Sequence, residues 1–247
     1  GTAHVVWNDG EGVHHSLSRD GGKTWSSRPQ VHPAGGSSHF AAGPKGELAV
    51  RITPLFASGN RFEAEAELIA VSTDGGTTWT KQPVPGNREW QPGALPRWVE
   101  PIAWDNSGAL YCLWSEGRSM RLARSTNLGA DWDSWEIATD NDVMFFPYLV
   151  STGPGRLAAT WFAAADGMSV RVAEVTLEER GPRTVLSEPL RFDAWAETDG
   201  EWKRDTAGEY VPVVRLANGE LAVVTPLQDA RQDRFGFSYW RLQPQPE

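Results

Sequence analysis

The stretch Ser72-Thr73-Asp74-Gly75-Gly76-Thr77-Thr78-Trp79 has a second full copy earlier in this chain and a weaker third copy after it. We call these segments box 1 (residues 18–25), box 2 (72–79) and box 3 (125–132). Box 1 keeps the pattern S-x-D-x-G-x-T-W, whereas box 3 replaces the Asp by Asn127 and the second Thr by Asp131. Boxes 1 and 2 are 54 residues apart, and box 3 follows 53 residues later. Because a fixed period in this range is typical of repeat architectures, each box should mark one supersecondary unit.

Each box has the composition of a β-hairpin turn. A short carboxylate such as Asp74 can accept hydrogen bonds from backbone N–H groups two residues on, and Ser72 can bond backbone groups at the strand end. Gly76 can take a positive φ without steric cost. Trp79 begins the next strand, where its large apolar ring can fill the space between neighbouring units. The sequence therefore predicts tight turns that form without a ligand.

The boxes resemble the Asp-box repeats of the sialidase superfamily. The resemblance implies an all-β fold, a β-propeller of four-stranded antiparallel blades, with six blades as the family norm. It also implies that each box joins the third strand of a blade to the fourth, on the face opposite the active site. Because non-catalytic propellers contain such boxes too, the resemblance is specific for the fold rather than for a reaction.

The box spacing sets the register of about five blades in a single domain, residues 1–247. Four repeats are predicted to open with an inner strand, near Ser38, Val99, Phe146 and Tyr210. The first repeat instead begins with Gly1–Asn8 as a second strand, and the fifth lacks a convincing fourth strand. Two explanations stay open: a five-bladed ring closed by pairing of the termini, or a six-bladed propeller whose first blade is absent.

Composition excludes several classes of partner. A net charge of −9 argues against nucleic acid and anionic membranes, and we find no apolar run long enough for a membrane span. The five histidines do not form a metal set, so we expect no metal and no cofactor. Cys112 lies in an apolar run, which favours a buried thiol over a nucleophile. Gly1–Trp7 lacks the pattern of a signal peptide, although the resemblance implies a secreted or periplasmic protein.

The resemblance assigns a catalytic set to the face opposite the boxes. Sialidases use a Tyr nucleophile that a Glu activates, near the starts of inner strands two blades apart. Glu100 opens the inner strand of the third repeat, Tyr210 opens that of the fifth, and Asp9 takes the place of the general acid. A nearby carboxylate can accept the phenol proton and so activate a weak nucleophile. The alternative is structural, with Tyr210 as a wall residue and Glu100 as a loop end.

Substrate contacts are expected from arginine and aromatic side chains of the same face. Sialidases hold the substrate carboxylate with three Arg side chains, through charge-assisted and partly bidentate bonds. Arg118 falls in the loop expected for the second of these, but residues 164–168 contain no Arg for the third. Arg51 lies in a segment similar to the first-Arg motif, yet on a second strand, so we interpret that match as coincidence. The predicted substrate-binding residues are Arg118, Arg97, Arg61 and Trp98, with Arg61 in a loop that is predicted over Pro54–Glu65.

Three functions remain compatible with the sequence. The first is a sialidase-like glycoside hydrolase of exo-sialidase type that acts on glycans. The second is a non-catalytic propeller that binds a carbohydrate or a protein through exposed aromatics such as Trp98. The third is a polysaccharide lyase, with Tyr210 or His39 as the base. A glycan or other carbohydrate is the expected ligand, and the sequence predicts no oligomeric state.

Overall fold

The computed structural model describes residues 1–9, 11–33, 36–58, 61–64, 67–86, 100–141, 143–163, 169–191, 211–229 and 234–243. Within these ranges all elements of regular secondary structure are β-strands. Five antiparallel sheets of three to five strands form the blades of a β-propeller. The predicted fold class is therefore confirmed.

A first compact unit contains the described residues of 1–98, 102–112 and 123–133. Its first sheet consists, in hydrogen-bonded order, of β1 (Ala3–Asn8), β2 (Val13–Ser18) and β3 (Ser26–Ser27). Its second sheet consists of β4 (Gly36–Ala42), β5 (Leu48–Ser58), β6 (Arg61–Ala64), β7 (Leu68–Ser72) and β8 (Thr80–Pro83). There β4, β5, β7 and β8 are neighbours in that order, and β6 pairs with β5.

The third sheet consists of β9 (Ile102–Trp104), β10 (Leu110–Glu116), β11 (Ser119–Ser125) and β12 (Asp133–Thr139). A second compact unit contains the described residues of 99–101, 113–122 and 134–247. Its fourth sheet consists of β13 (Met144–Gly153), β14 (Arg156–Ala163), β15 (Ser169–Glu178), β16 (Gly181–Leu186) and β17 (Leu190–Arg191), the last of which pairs with β15. The fifth sheet consists of β18 (Val213–Arg215), β19 (Leu221–Asp229) and β20 (Arg234–Leu242).

The segment around Arg61 differs from the sequence-based expectation. A loop was predicted over Pro54–Glu65, but β5 continues to Ser58 and pairs with β6, with Ser58 opposite Arg61. The prediction is wrong because two runs rich in apolar residues flank the pair Gly59-Asn60, which is a hairpin signal. The first sheet does agree with expectation, since β1 pairs directly with the strand that leads into box 1.

The hydrogen bonds of box 2 confirm the predicted turn. One carboxylate oxygen of Asp74 accepts the backbone N–H of Thr78 at 2.9 Å, and the other accepts its hydroxyl at 2.7 Å. Ser72 Oγ donates to Asp74 at 2.8 Å and accepts the N–H of Gly76 at 2.9 Å. These bonds stabilise the ionised carboxylate, so the pKa of Asp74 lies well below its usual range, chiefly through its bonds from Thr78. Box 1 repeats the arrangement around Asp20.

Boxes 2 and 3 each pack on the third strand of the preceding sheet. A Cβ added to Gly76 would lie 2.2 Å from a ring carbon of His15 in β2, so only glycine fits there. Trp79 contacts the same ring edge-to-face, with centroids 5.7 Å apart. Box 3 repeats the contact, because a Cβ on Gly129 would lie 3.4 Å from Ile69 in β7. The box is therefore both a turn and a piece of sheet-to-sheet packing.

Apolar clusters lie between these packed sheets. Val13 and Val31 pack with Val50 and Ile52, while Ile69 and its neighbours pack with a second group of buried residues, Ile102, Trp104, Leu110 and Cys112. The Cys112 thiol is buried, as predicted. In the second unit a further cluster joins the fourth sheet to β18 and β19.

Box 3 carries a backbone strain that boxes 1 and 2 avoid. Leu128, at the position of Gly75, has φ of 61° and is 40% exposed. A left-handed conformation costs a residue with a side chain about 1–2 kcal/mol. Glycine avoids this cost, and the extra conformational entropy that it gives the unfolded chain lowers stability by less than about 1 kcal/mol. We therefore expect Leu128→Gly to stabilise the protein by about 0.5–1 kcal/mol and to raise Tm by roughly 2–3 °C in thermal unfolding. Ala130→Gly is the control: Ala130 is outside the left-handed region, so glycine there only adds entropy to the unfolded chain and should lower Tm. A lower Tm for Leu128→Gly would contradict the backbone strain at Leu128.

Two imidazoles inside the first unit favour the neutral form. Burial, then the charges of His4 and Arg28, lower the pKa of His15 to about 4, and burial beside Arg51 lowers that of His39 to about 4. His4 Nδ1 lies 2.9 Å from His15 Nε2, and the two rings stack. The structure thus keeps uncharged two rings that titrate near pH 6.5 when unfolded.

Stability should depend on pH through these two rings. Between about pH 6.5 and pH 4 the unfolded chain binds more protons than the folded chain, so the free energy of unfolding should fall as the pH falls through that window. Near pH 5 the wild-type chain should bind about one proton at each of these two rings when it unfolds, and His15→Gln and His39→Gln should each abolish one of those proton-binding events. Urea titrations at several pH values measure this slope, and slopes equal to that of the wild type would contradict the assignment.

Candidate functional site

The box turns lie at one end of the first three sheets, and the site residues are predicted at the other end. Asp9 follows β1 at that other end of the first sheet, where it is exposed. Its carboxylate accepts the N–H of Glu11 at 3.0 Å and lies 3.0 Å from Nε2 of His14. The hydrogen bond from the Glu11 N–H contributes most to lowering the pKa of Asp9, so this environment favours the ionised carboxylate.

An exposed aromatic platform adjoins Asp9. The Trp7 ring stacks on His14 with centroids 5.5 Å apart, and Trp7 is 39% exposed. The two residues are directly opposite in the β1–β2 register. The sequence analysis missed this group, although Asp9 and His14 flank a short connection between paired strands, and that spacing brings them together. An indole beside a carboxylate and an imidazole can stack on a sugar ring and hydrogen-bond its hydroxyls.

In the second unit, Glu100 is the most deeply buried of the described predicted residues. It is 5% exposed and lies two residues before the first residue of β9. Its neighbour Pro101 accepts the N–H of Leu113 at 3.1 Å, which places the segment beside the end of β10 that leads to Arg118. Glutamate is rarely buried so deeply unless it is paired or has a chemical role. The role of Glu100 as the base of an active site stays a prediction.

The β10–β11 turn presents Arg118 at this end. Arg118 is exposed, and Gly117 before it has φ of 64°. The Arg118 carbonyl accepts the N–H of Asp140 at 3.0 Å, and the Gly117 carbonyl accepts that of Met144 at 3.0 Å. Two backbone bonds therefore hold the turn to the segment between the third and fourth sheets, while the guanidinium is left in solvent, where it can bind an anion.

Asp140 also holds a second arginine. Its Oδ2 accepts from Arg171 Nη2 at 2.7 Å and Nε at 3.1 Å, with side-chain exposures of 11% for Asp140 and 23% for Arg171. The sequence did not predict this pair, because Asp140 and Arg171 are 31 residues apart. The Asp140–Arg171 pair fixes the edge of the site next to Arg118.

The inner strand of the fourth sheet is distorted at the same end. A β-bulge interrupts the β13–β14 register between Phe145 and Tyr148, and Phe146 within it has φ of 48°. Phe146 is nonetheless 6% exposed, so its packing holds the strained backbone in place. Bulges and left-handed residues of this kind are enriched next to functional sites.

The remaining predicted residues fall into two groups. Only the backbone of Arg61 is described, as the first residue of β6. Arg51, set aside as a coincidental match, is 2% exposed and bonds Glu67 at 2.7 Å inside the second sheet, so its guanidinium serves the core. Three predicted residues lie outside the described part of the chain: Tyr210, Arg97 and Trp98.

The described residues contain neither a metal-binding cluster nor a membrane-spanning helix. No group of three or more His, Cys, Asp or Glu side chains there could hold a metal ion. No helix in those ranges is long and apolar enough to cross a membrane.

Comparison with known proteins identifies the fold. A protein of unknown function from Dyadobacter fermentans superposes with a TM-score of 0.60 at 18% identity, over 95% of this chain and 69% of that one. NanB sialidase from Streptococcus pneumoniae gives 0.53 at 12%, over 94% and 35%. An α-L-arabinofuranosidase from Fusarium graminearum gives 0.52 at 12%, over 98% and 90%. No family model and no curated protein matches the sequence. Identities this low establish a shared fold only.

The Asp140–Arg171 pair should stabilise the protein measurably. Asp140→Asn removes the charge from a largely buried, two-bond contact, and we expect a loss of about 1–2 kcal/mol in the free energy of unfolding. Glu178→Gln is the matched control, because the Glu178–Arg183 pair starts on the same strand but has side-chain exposures of 53% and 48%. Exposed pairs contribute little, so its unfolding curve should coincide with that of the wild type. Equal losses in the two variants would contradict the structural role of Asp140.

Proposed function

We propose that this chain is a sialidase-like glycoside hydrolase of exo-sialidase type that acts on glycans. The observation that carries the proposal is the buried carboxylate of Glu100, at the end of β9 away from the boxes. Glu100 is 5% exposed and stands where the resemblance to sialidases places the base that activates the tyrosine. Structural similarity to a sialidase and to an arabinofuranosidase, two proteins named for action on glycans, is consistent with the proposal.

In the proposed reaction Tyr210 is the nucleophile and Glu100 is its base. Glu100 accepts the phenol proton while the Tyr210 oxygen attacks the anomeric carbon, and the bond from that carbon to the aglycone oxygen breaks. The product is a glycosyl-tyrosine, which water then hydrolyses: the hydroxyl of water bonds to the anomeric carbon, its proton passes to the Asp9 carboxylate, and Glu100 returns the proton to the phenol.

Asp9 would protonate the departing aglycone oxygen. Because its hydrogen bond from Glu11 favours the ionised form, a bound substrate must displace that bond or exclude water before Asp9 can act as an acid. Its part in the proposal comes from the sequence resemblance.

Arg118 would bind the carboxylate of the substrate. Arg118 is exposed, and its backbone carbonyl accepts a hydrogen bond from the Asp140 N–H. Because the backbone is already held, binding would need to order only the Arg118 side chain. Guanidinium groups match carboxylates in geometry and charge. Arg97, Arg61 and Trp98 complete the proposed substrate-binding set.

A second function is favoured by a specific observation in the first unit. Trp7 presents an exposed indole stacked on His14 beside Asp9, which suits the binding of a sugar without any reaction. A non-catalytic carbohydrate- or protein-binding propeller would retain this platform and need no nucleophile.

Release of a fluorophore from an aryl sialoside distinguishes the two functions. We expect turnover by the full chain, a decrease in kcat/KM of at least about 100-fold in Tyr210→Phe and Glu100→Gln, and a higher KM with little change in kcat for Arg118→Ala. Arg183→Gln, in an exposed pair on β16, is the control and should keep full activity.

The outcomes separate cleanly. A folded protein that binds a sialylated glycan without turnover, and loses that binding in Trp7→Ala, would be the binding module. If the chain neither turns over the sialoside nor binds any sialylated or neutral glycan, the hydrolase and the carbohydrate-binding propeller are both refuted.

A further inference from the structure

Thr160 places a hydroxyl inside the apolar cluster that joins the fourth sheet to β18 and β19. It lies on β14 between Ala158 and Phe162, two members of that cluster, and alternate residues of a strand share one face. All three side chains are fully buried. Because a buried hydroxyl lowers stability unless it forms a hydrogen bond, the partner of Thr160 indicates why a polar residue stands at this position.

The partner is the backbone of the segment that leads into β18. Thr160 Oγ1 donates a hydrogen bond to the carbonyl oxygen of Val211 at 2.5 Å. Val211 is 0% exposed and belongs to the same apolar cluster. The bond joins residues that are 51 positions apart, so it ties this segment to a strand of another sheet.

The direction of the Val211 carbonyl explains why a side chain of the fourth sheet holds it. The carbonyl of the next residue, Pro212, accepts the N–H of Val224 in β19 at 3.3 Å. Successive carbonyls of an extended chain point to opposite sides, and a residue before proline is held in the extended region. The Val211 carbonyl therefore points away from β19, and a buried carbonyl needs a donor there. Thr160 supplies that donor.

We propose that Thr160 is a positioning residue for Tyr210, the nucleophile of the proposed reaction. Tyr210 itself lies outside the described part of the chain, but one peptide bond joins it to Val211. Consecutive Cα atoms are about 3.8 Å apart across a trans peptide, so a fixed Val211 limits the positions open to Tyr210. This role rests on the proposed hydrolase function. Because Thr160 is fully buried, it acts through Val211 rather than on the substrate.

Three substitutions at Thr160 separate the hydroxyl from the shape of the side chain. Thr160→Val keeps the branched shape without the donor, so kcat for the aryl sialoside should fall at least about 10-fold while KM changes less than about 2-fold, because small displacements of reacting atoms are costly in rate. Thr160→Ser keeps the hydroxyl and should retain kcat within about 3-fold. Thr160→Cys, with a weaker donor, should give a kcat between these two.

Tyr111→Phe is the matched control for the loss of a buried hydrogen bond. The Tyr111 side chain is fully buried in the first unit, and its hydroxyl donates to Asp105 Oδ2 at 2.9 Å. Its removal should lower Tm, as Thr160→Val should, because each variant loses a buried bond. Only Thr160→Val should lower kcat, whereas a role of Thr160 in stability alone would make the two variants alike.

Hydrogen exchange measures the anchored segment without any reaction. The Val224 amide, which donates to Pro212, should exchange at least about 10-fold faster in Thr160→Val than in the wild type, because local opening becomes easier when a tertiary bond is lost. Thr160→Ser and Tyr111→Phe should leave this rate near that of the wild type.

The results distinguish failure of this role from failure of the hydrolase. A wild-type chain without turnover refutes the hydrolase, and the role of Thr160 falls with it. If the wild type turns over the sialoside, the hydrolase stands, and the role alone is overturned by an unchanged kcat or unchanged Val224 exchange in Thr160→Val. An equal loss of kcat in Thr160→Ser also overturns it. If Thr160→Val does not fold, equal kcat values in Thr160→Cys and Thr160→Ser overturn it instead.

Discussion

The contact of a box glycine with the third strand of the preceding sheet is the constraint on which the arrangement of the first unit depends. Gly76 approaches His15 so closely that any side chain would overlap the ring. The same turn places Trp79 against that ring, and Asp74 closes the turn by accepting bonds from the residues that lead to Trp79. One local motif therefore orders a hairpin and positions a neighbouring sheet. It also explains why a nearly constant period separates the copies, since each repeat must present a third strand to the next box.

This packing gives the two ends of the sheets different chemistry. The box end is closed by turns whose carboxylates are occupied by their own backbone. At the other end, charged residues are held by contacts with other segments of the chain. Asp140 accepts hydrogen bonds from Arg171, and the Arg118 carbonyl accepts one from the Asp140 N–H. A buried Glu100 lies at that second end. A site there can vary in its side chains without affecting the contacts that hold the sheets together.

Much of the fold could be predicted because box residues act over short distances. Asp20, Gly22 and Thr24 form their turn within one segment, and β1 could be identified as a second strand from its spacing to box 1. The hairpin at Arg61 was missed where no box sets the register. At the site, Glu100 could be placed by its repeat position, but the Asp140–Arg171 pair and the stacking of Trp7 on His14 join separate strands or loops. Such pairs depend on the register and the ends of strands, which composition does not specify.

Box 1 and box 2 share one pattern, yet their tryptophans have different surroundings. By itself the sequence determined the turns, the period and the β-strand content. Only the tertiary structure decided that Trp79 packs on His15 while Trp25 remains 45% exposed. The physical reason is that a turn is satisfied by hydrogen bonds within eight residues of chain, whereas burial of an indole requires a surface supplied by another sheet.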